Sequence, residues 1–130
     1  MTNTSSAPAA LHAGGLATND TSRAGRGAGA FSKDNTDGRV ALIPYIVAGY
    51  PDADTSFAAA LAAADAGADL LEVGLPYSDP LADGATLQRA SGLALAAGTT
   101  LESSLRLLER IGAARPGLPL VPMGYANQVI

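Results

Sequence analysis

Cysteine and tryptophan are absent from these 130 residues, and lysine occurs once, at Lys33. Without cysteine there can be no disulfides and no thiolate metal sites, a composition that fits a reducing compartment. With its one lysine so early, the rest of the chain has no primary amine side chain to form a Schiff base. Positive charge is sparse as well: eight Lys and Arg, in no run, face twelve Asp and Glu for a net charge of −4. Such a chain offers nucleic acid no basic face, and no nucleic-acid partner is expected. Long hydrophobic runs are missing too. The longest apolar stretches are alanine-rich and broken by Asp65 and Asp69, short of the ~20 residues of a membrane span. No transmembrane helix is expected, and the chain reads as small, mildly acidic, soluble and cytoplasmic.

Residues 1 to 38 are rich in Ser, Thr, Ala and Gly, with Phe31 the only aromatic and no sustained hydrophobic period. Such a segment cannot bury enough apolar surface to offset the entropy of ordering it, which predicts a disordered leader in which His12 is inert. It also lacks the apolar centre of a secretory signal.

From Arg39 the composition changes. Residues 40–47 are β-branched and aromatic between Gly38 and Gly49, predicting a first strand that Pro44 weakens. Asp52 or Asp54 can cap a helix running to about Ala66 and stopped by Gly67, with an apolar stripe of Phe57, Leu61 and Ala64. A second strand is predicted over 69–74, and the proline-punctuated stretch 75–84 is too long for a routine turn. A helical pattern over 85–97 ends at Gly98. Another begins with Thr99 at the N-cap and Glu102 three residues on, carries Leu101, Leu105, Leu108 and Ile111, and stops at 115–117. A third strand follows over 118–123, with Pro119 and Pro122. Strands alternating with helices at this spacing predict a parallel sheet with right-handed crossovers, whose chemistry sits at the carboxyl ends of the strands.

Three carboxylates gather there. Glu72 lies in the short apolar run Leu70-Leu71-Glu72-Val73-Gly74, where an ionised group without a partner costs several kcal/mol, roughly. Beyond Arg39, the cations are Arg89, Arg106, Arg110 and Arg115, all in predicted helices. Glu72 is therefore either solvated at the strand's end or retained for a function. Asp83 could cap the helix that begins near Ala85, and Asp79 could order the loop as an Asx residue.

The stretch Glu72-Val73-Gly74-Leu75-Pro76-Tyr77-Ser78-Asp79-Pro80-Leu81-Ala82-Asp83-Gly84 resembles, position by position, the signature loop of the tryptophan synthase alpha chain family. Residues 44–51, Pro-Tyr-Ile-Val-Ala-Gly-Tyr-Pro, and Tyr125-Ala126-Asn127 extend the resemblance, which covers about residues 38 to 130. It implies a (β/α)8 TIM barrel of α/β class and a lyase that splits indole-3-glycerol phosphate into indole and glyceraldehyde 3-phosphate. Glu72 would be the catalytic acid/base, and Asp83 the carboxylate that holds the indole N–H. Tyr45 and Tyr125 would lie beside the indole ring, unless they only close the barrel core. Pro76, Asp79 and Pro80 would face a beta chain in a heterotetramer. Pyridoxal phosphate would belong to that partner, with no cofactor on this chain.

A full barrel needs about 200 to 250 residues, whereas 39–130 would supply only about three βα units and no phosphate-binding loops. The expectation is thus a partial barrel from a truncated alpha chain, inactive alone. Two alternatives stand beside the lyase: a non-catalytic fragment that binds the beta chain, and a divalent-metal lyase with Glu72, Asp79 and Asp83 as ligands.

Overall fold

The structure, a computed structural model, describes residues 40–128. The expected leader over 1–38 lies outside them. The described elements are β1 (Tyr45–Val47), α1 (Ala53–Asp65), β2 (Leu71–Gly74), α2 (Ala85–Ala96), α3 (Leu101–Ala114), β3 (Leu120–Met123) and a 3-10 turn (Ala126–Gln128). The strands pair in parallel in the order β1-β2-β3. Tyr45, Glu72 and Val121 form one row across the sheet, Ile46, Val73 and Pro122 the next, and Val47, Gly74 and Met123 the last. Side chains alternate along a strand, so the first and last rows share one face and the middle row turns to the other.

That other face carries the core. Leu71 and Val73, both fully buried, pack with Ala60 of α1 and with Leu107 and Ile111 of α3, while Ile46, Phe57 and Leu120 close the edges. Burying a side chain such as Leu71 completely stabilises the fold by ~1.5–3 kcal/mol. Helix α2 packs separately, setting Ala90 and Ala94 against Val47.

The strands are shorter than expected. Val40 and Leu42 are exposed, and β1 begins only after Pro44, whose carbonyl accepts from the Glu72 N–H at 2.9 Å. Asp69 lies before β2, where its carboxylate accepts the Leu42 N–H at 2.9 Å. Strand β3 starts at Leu120 rather than at 118. Pro119 and Met123 carbonyls accept from Leu71 and Leu75 of the β2 side, so the intervening Pro122 turns its nitrogen away from β2 and costs the ladder nothing.

The helices begin and end nearly as expected, but their most buried residues are only partly those expected. Asp52 caps α1 and Gly67 follows it at φ +95°. In α1 the fully buried residues are Ser56 and Ala60, with the expected Phe57, Leu61 and Ala64 half-buried beside them; in α3 they are Ser104, Leu107 and the expected Ile111, with Leu101 and Leu108 half-buried and Leu105 on the outside. Each buried serine satisfies its own hydroxyl: Ser56 donates to the Ala53 carbonyl at 3.0 Å and Ser104 to the Thr100 carbonyl at 2.8 Å. A small self-bonded serine can enter a core that an apolar-periodicity reading reserves for leucine. The capping box of α3 is likewise one residue later than expected, Thr100 with Ser103. Glu102 instead pairs with Arg106 on the surface.

Candidate functional site

Strand β2 ends at Gly74, and the loop that leaves it returns across the carboxyl ends of β1 and β3. Gly74 permits the first close approach: a methyl group at that position would overlap the Tyr45 phenol, whose hydroxyl lies over the strand. Tyr45 is held this way on the row it shares with Glu72. Past Gly74, the Leu75 N–H donates to the Met123 carbonyl at 2.7 Å, tying the start of the loop to the end of β3.

The far part of the loop is tied down from two sides. The segment after β3 supplies one: the Tyr125 hydroxyl accepts the Ala82 N–H at 3.0 Å, and its ring stacks on Tyr77 with centroids 4.9 Å apart. Asn127 hydrogen-bonds the Tyr77 hydroxyl, and Gln128 donates to the Pro76 carbonyl at 3.0 Å while accepting from the Tyr125 N–H at 2.9 Å. Helix α2 supplies the other side, where Gln88 donates to the carbonyls of Asp83 (2.9 Å) and Pro80 (3.3 Å). Neither Gln88 nor Gln128 was legible as a site residue. They act across turns of chain that no local motif connects.

These ties enclose a cavity of about 220 Å³ lined by Tyr45, Leu75, Ala82, Asp83, Met123, Gly124 and Tyr125. Glu72 stands half-buried in the same row as Tyr45. Burial pushes the Tyr45 phenol above its ordinary range, and the nearby Asp83 and Glu72 carboxylates and the Tyr125 phenol push it further up. Tyr45 thus keeps its proton at neutral pH and can donate a hydrogen bond. Of the four expected pocket residues, Tyr45, Asp83 and Tyr125 line the cavity, and Glu72 lies beside Tyr45 on the neighbouring strand.

The alternative roles of the carboxylates can now be weighed. Gly84, not Asp83, is the N-cap of α2, and no side chain caps that helix. The helix arginines do not serve Glu72: Arg106 pairs with Glu102, Arg115 with Asp65 at 2.8 Å, and Arg110 approaches Asp54 at 3.7 Å while lying over the Phe57 ring. Among the described residues neither Glu72 nor Asp83 takes a hydrogen bond through its carboxylate. Both remain available as acceptors.

Asp79 is exposed, with its carboxylate accepting from the Ser78 hydroxyl at 2.9 Å, and Pro80 is half-buried. Pro76 is buried, and its carbonyl accepts from Gln128 at 3.0 Å, which ties the loop to the segment after β3. Among the described residues no three carboxylate, histidine or cysteine groups gather as metal ligands. No described helix is long and apolar enough to cross a membrane.

Comparison with known proteins agrees with this geometry. Residues 31–130 match the family model described as tryptophan synthase alpha chain. A tryptophan synthase alpha chain from Roseiflexus castenholzii is 50% identical over 97 residues, which are 75% of this chain and 37% of the relative. Among solved structures, tryptophan synthase from M. tuberculosis in an aminoacrylate- and BRD0059-bound form aligns at 42% identity and TM-score 0.71, covering 76% of this chain and 39% of that one. The alpha subunit from Legionella pneumophila str. Paris aligns at 32% identity and TM-score 0.75, over 80% and 40%. The fold is therefore a sector of a (β/α)8 barrel, and the chain spans little more than a third of the length of the curated relatives it matches.

Proposed function

Since the chain belongs to the tryptophan synthase alpha chain family, we propose that its carboxylate pair forms part of a lyase site that cleaves indole-3-glycerol phosphate into indole and glyceraldehyde 3-phosphate. The observation that carries this reading is the cavity on the carboxyl side of the sheet lined by Tyr45, Asp83 and Tyr125, with Glu72 next to Tyr45 in the same row of the sheet. Cleavage of the bond between indole C3 and the glycerol chain requires C3 to be protonated first, which places positive charge on the ring nitrogen. Asp83, at the cavity wall, stabilises that charge by accepting the ring N–H. Glu72 delivers the proton to C3 and then removes the proton of the glycerol hydroxyl, so that the C–C bond breaks to give indole and the aldehyde. Tyr45 and Tyr125 flank the ring.

A second reading rests on the exposed loop tip, where Asp79 and the 91% exposed Leu81 stand clear of the fold: the chain docks a tryptophan synthase beta chain without turning substrate over. Pyridoxal phosphate belongs to that partner, this chain needs no cofactor, and both work in the cytoplasm.

The test is indole release from indole-3-glycerol phosphate by the 130-residue chain, with and without beta chain, beside a thermal melt. Activity with a cooperative melt supports the lyase. A folded chain that captures beta chain but releases no indole supports the docking reading, and replacement of Asp79 and Pro80 should then abolish capture.

A further inference from the structure

Asp83 is unusual in this loop because its backbone is tied on every side while its carboxylate is tied to nothing among the described residues. Its N–H donates to the Pro80 carbonyl at 3.0 Å. The preceding N–H, of Ala82, is taken by the Tyr125 hydroxyl, and its own carbonyl is taken by the Gln88 amide at 2.9 Å. Gln88 spends its second donor on Pro80, at 3.3 Å, and so closes the same turn from residue 80 to residue 83. One side chain on α2 thereby anchors both ends of the turn that presents the carboxylate to the cavity.

We propose that Gln88 is a positioning residue: its amide fixes the 80–83 turn so that the Asp83 carboxylate meets a ligand N–H at the cavity wall. This rests on the lyase reading of the site and deepens it by naming what aims Asp83. A helix residue suits the task, since α2 is anchored on Val47 through Ala90 and Ala94, whereas none of residues 80–83 belongs to either core cluster. A carboxylate moved by one ångström loses its directional hydrogen bond, while the ring faces that line the cavity still bind apolar area.

The distinguishing experiment compares indole with benzofuran, which has nearly the same shape but an oxygen in place of the N–H. The chain has no tryptophan, so indole fluorescence excited at the red edge of tyrosine absorption reports binding, and benzofuran is measured by its displacement of indole. The unaltered chain should prefer indole by about tenfold, the value of a hydrogen bond to a charged acceptor. Asp83→Ala, which removes the acceptor, should abolish that preference. Gln88→Met, which keeps the side chain's length but removes its donors, should abolish it too while leaving benzofuran affinity within about twofold. Gln88→Glu should do the same, because a carboxylate cannot donate to the two carbonyls. Loss of binding to both ligands, or an indole preference retained in both Gln88 variants while Asp83→Ala loses it, overturns the positioning role and leaves the lyase reading intact. Absence of any indole preference in the unaltered chain overturns both.

Discussion

The two faces of the three-stranded sheet follow opposite rules. The face toward α1 and α3 is aliphatic and closed, with Leu71, Val73 and Ile111 fully buried. The face toward the cavity holds Tyr45, Glu72, Val121 and Met123, with Tyr45 and Met123 still about 40% exposed (37% and 43%). Leu71 and Glu72 are neighbours in sequence and belong to different problems. One is chosen for volume and for having no polar atom; the other sits half-buried with an unpaired acceptor, a placement that packing alone disfavours. A sheet that spends one face on stability can keep the other for chemistry.

Substitutions at that pair break the comparison most strongly. Glu72→Gln should lower indole formation by about 10²–10⁴-fold while moving the urea midpoint hardly at all; near-normal turnover would remove Glu72 from the mechanism. Leu71→Ala should do the reverse, costing about 2–5 kcal/mol in equilibrium unfolding through the cavity it opens. A smaller loss, about 1–3 kcal/mol, is expected for Gly74→Ala, because the new methyl must displace the Tyr45 phenol. Its indole affinity should fall with it, and unchanged affinity would mean that Tyr45 does not shape the cavity.

The helix layer gives a finer test. Thr100→Ala should cost about 1 kcal/mol as a lost cap, whereas Thr99→Ala should stay within about 0.5 kcal/mol. The reverse order in thermal melts would place the cap at Thr99. The smallest effect is electrostatic. The Thr55 N–H and then its hydroxyl hold the Asp52 carboxyl below the usual carboxylate range. A group whose folded pKa is depressed stabilises above its unfolded value, about 4, and loses that contribution as pH falls through the lower folded value. Asp52→Asn keeps a good cap but should flatten the acid-side decline of the melting temperature; an unchanged slope would show that Asp52 titrates as it does unfolded.

Much of this was legible in the chain. Asp52 and Gly67 bound α1 because capping and left-handed turns are local matters, decided by residues three or four apart. Glu72 stood out because a carboxylate in an apolar run is anomalous before any fold is known. The buried lines of α1 and α3 were only partly legible because Ser56 and Ser104 satisfy themselves on their own helices, a bond that hydropathy does not register. The early start expected for β1 failed because Leu42, though its carbonyl accepts the Asp69 N–H, gives its own N–H to the Asp69 carboxylate, and regular strand pairing with β2 begins only past Pro44.

The sequence by itself determined the parallel strand–helix order, the family, and the two carboxylates at the strand ends, because composition, caps and a long low-degeneracy motif are properties of neighbouring residues. Only the tertiary structure decided that Gly84 and not Asp83 caps α2, that Pro76 is buried, and that Gln88 and Tyr125 grip the turn bearing Asp83. Several of those facts depend on hydrogen bonds between residues far apart in the chain, 43 apart from Ala82 to Tyr125 and 52 from Pro76 to Gln128. Such bonds form only after burial of Leu71, Val73 and Ile111 has brought the elements together.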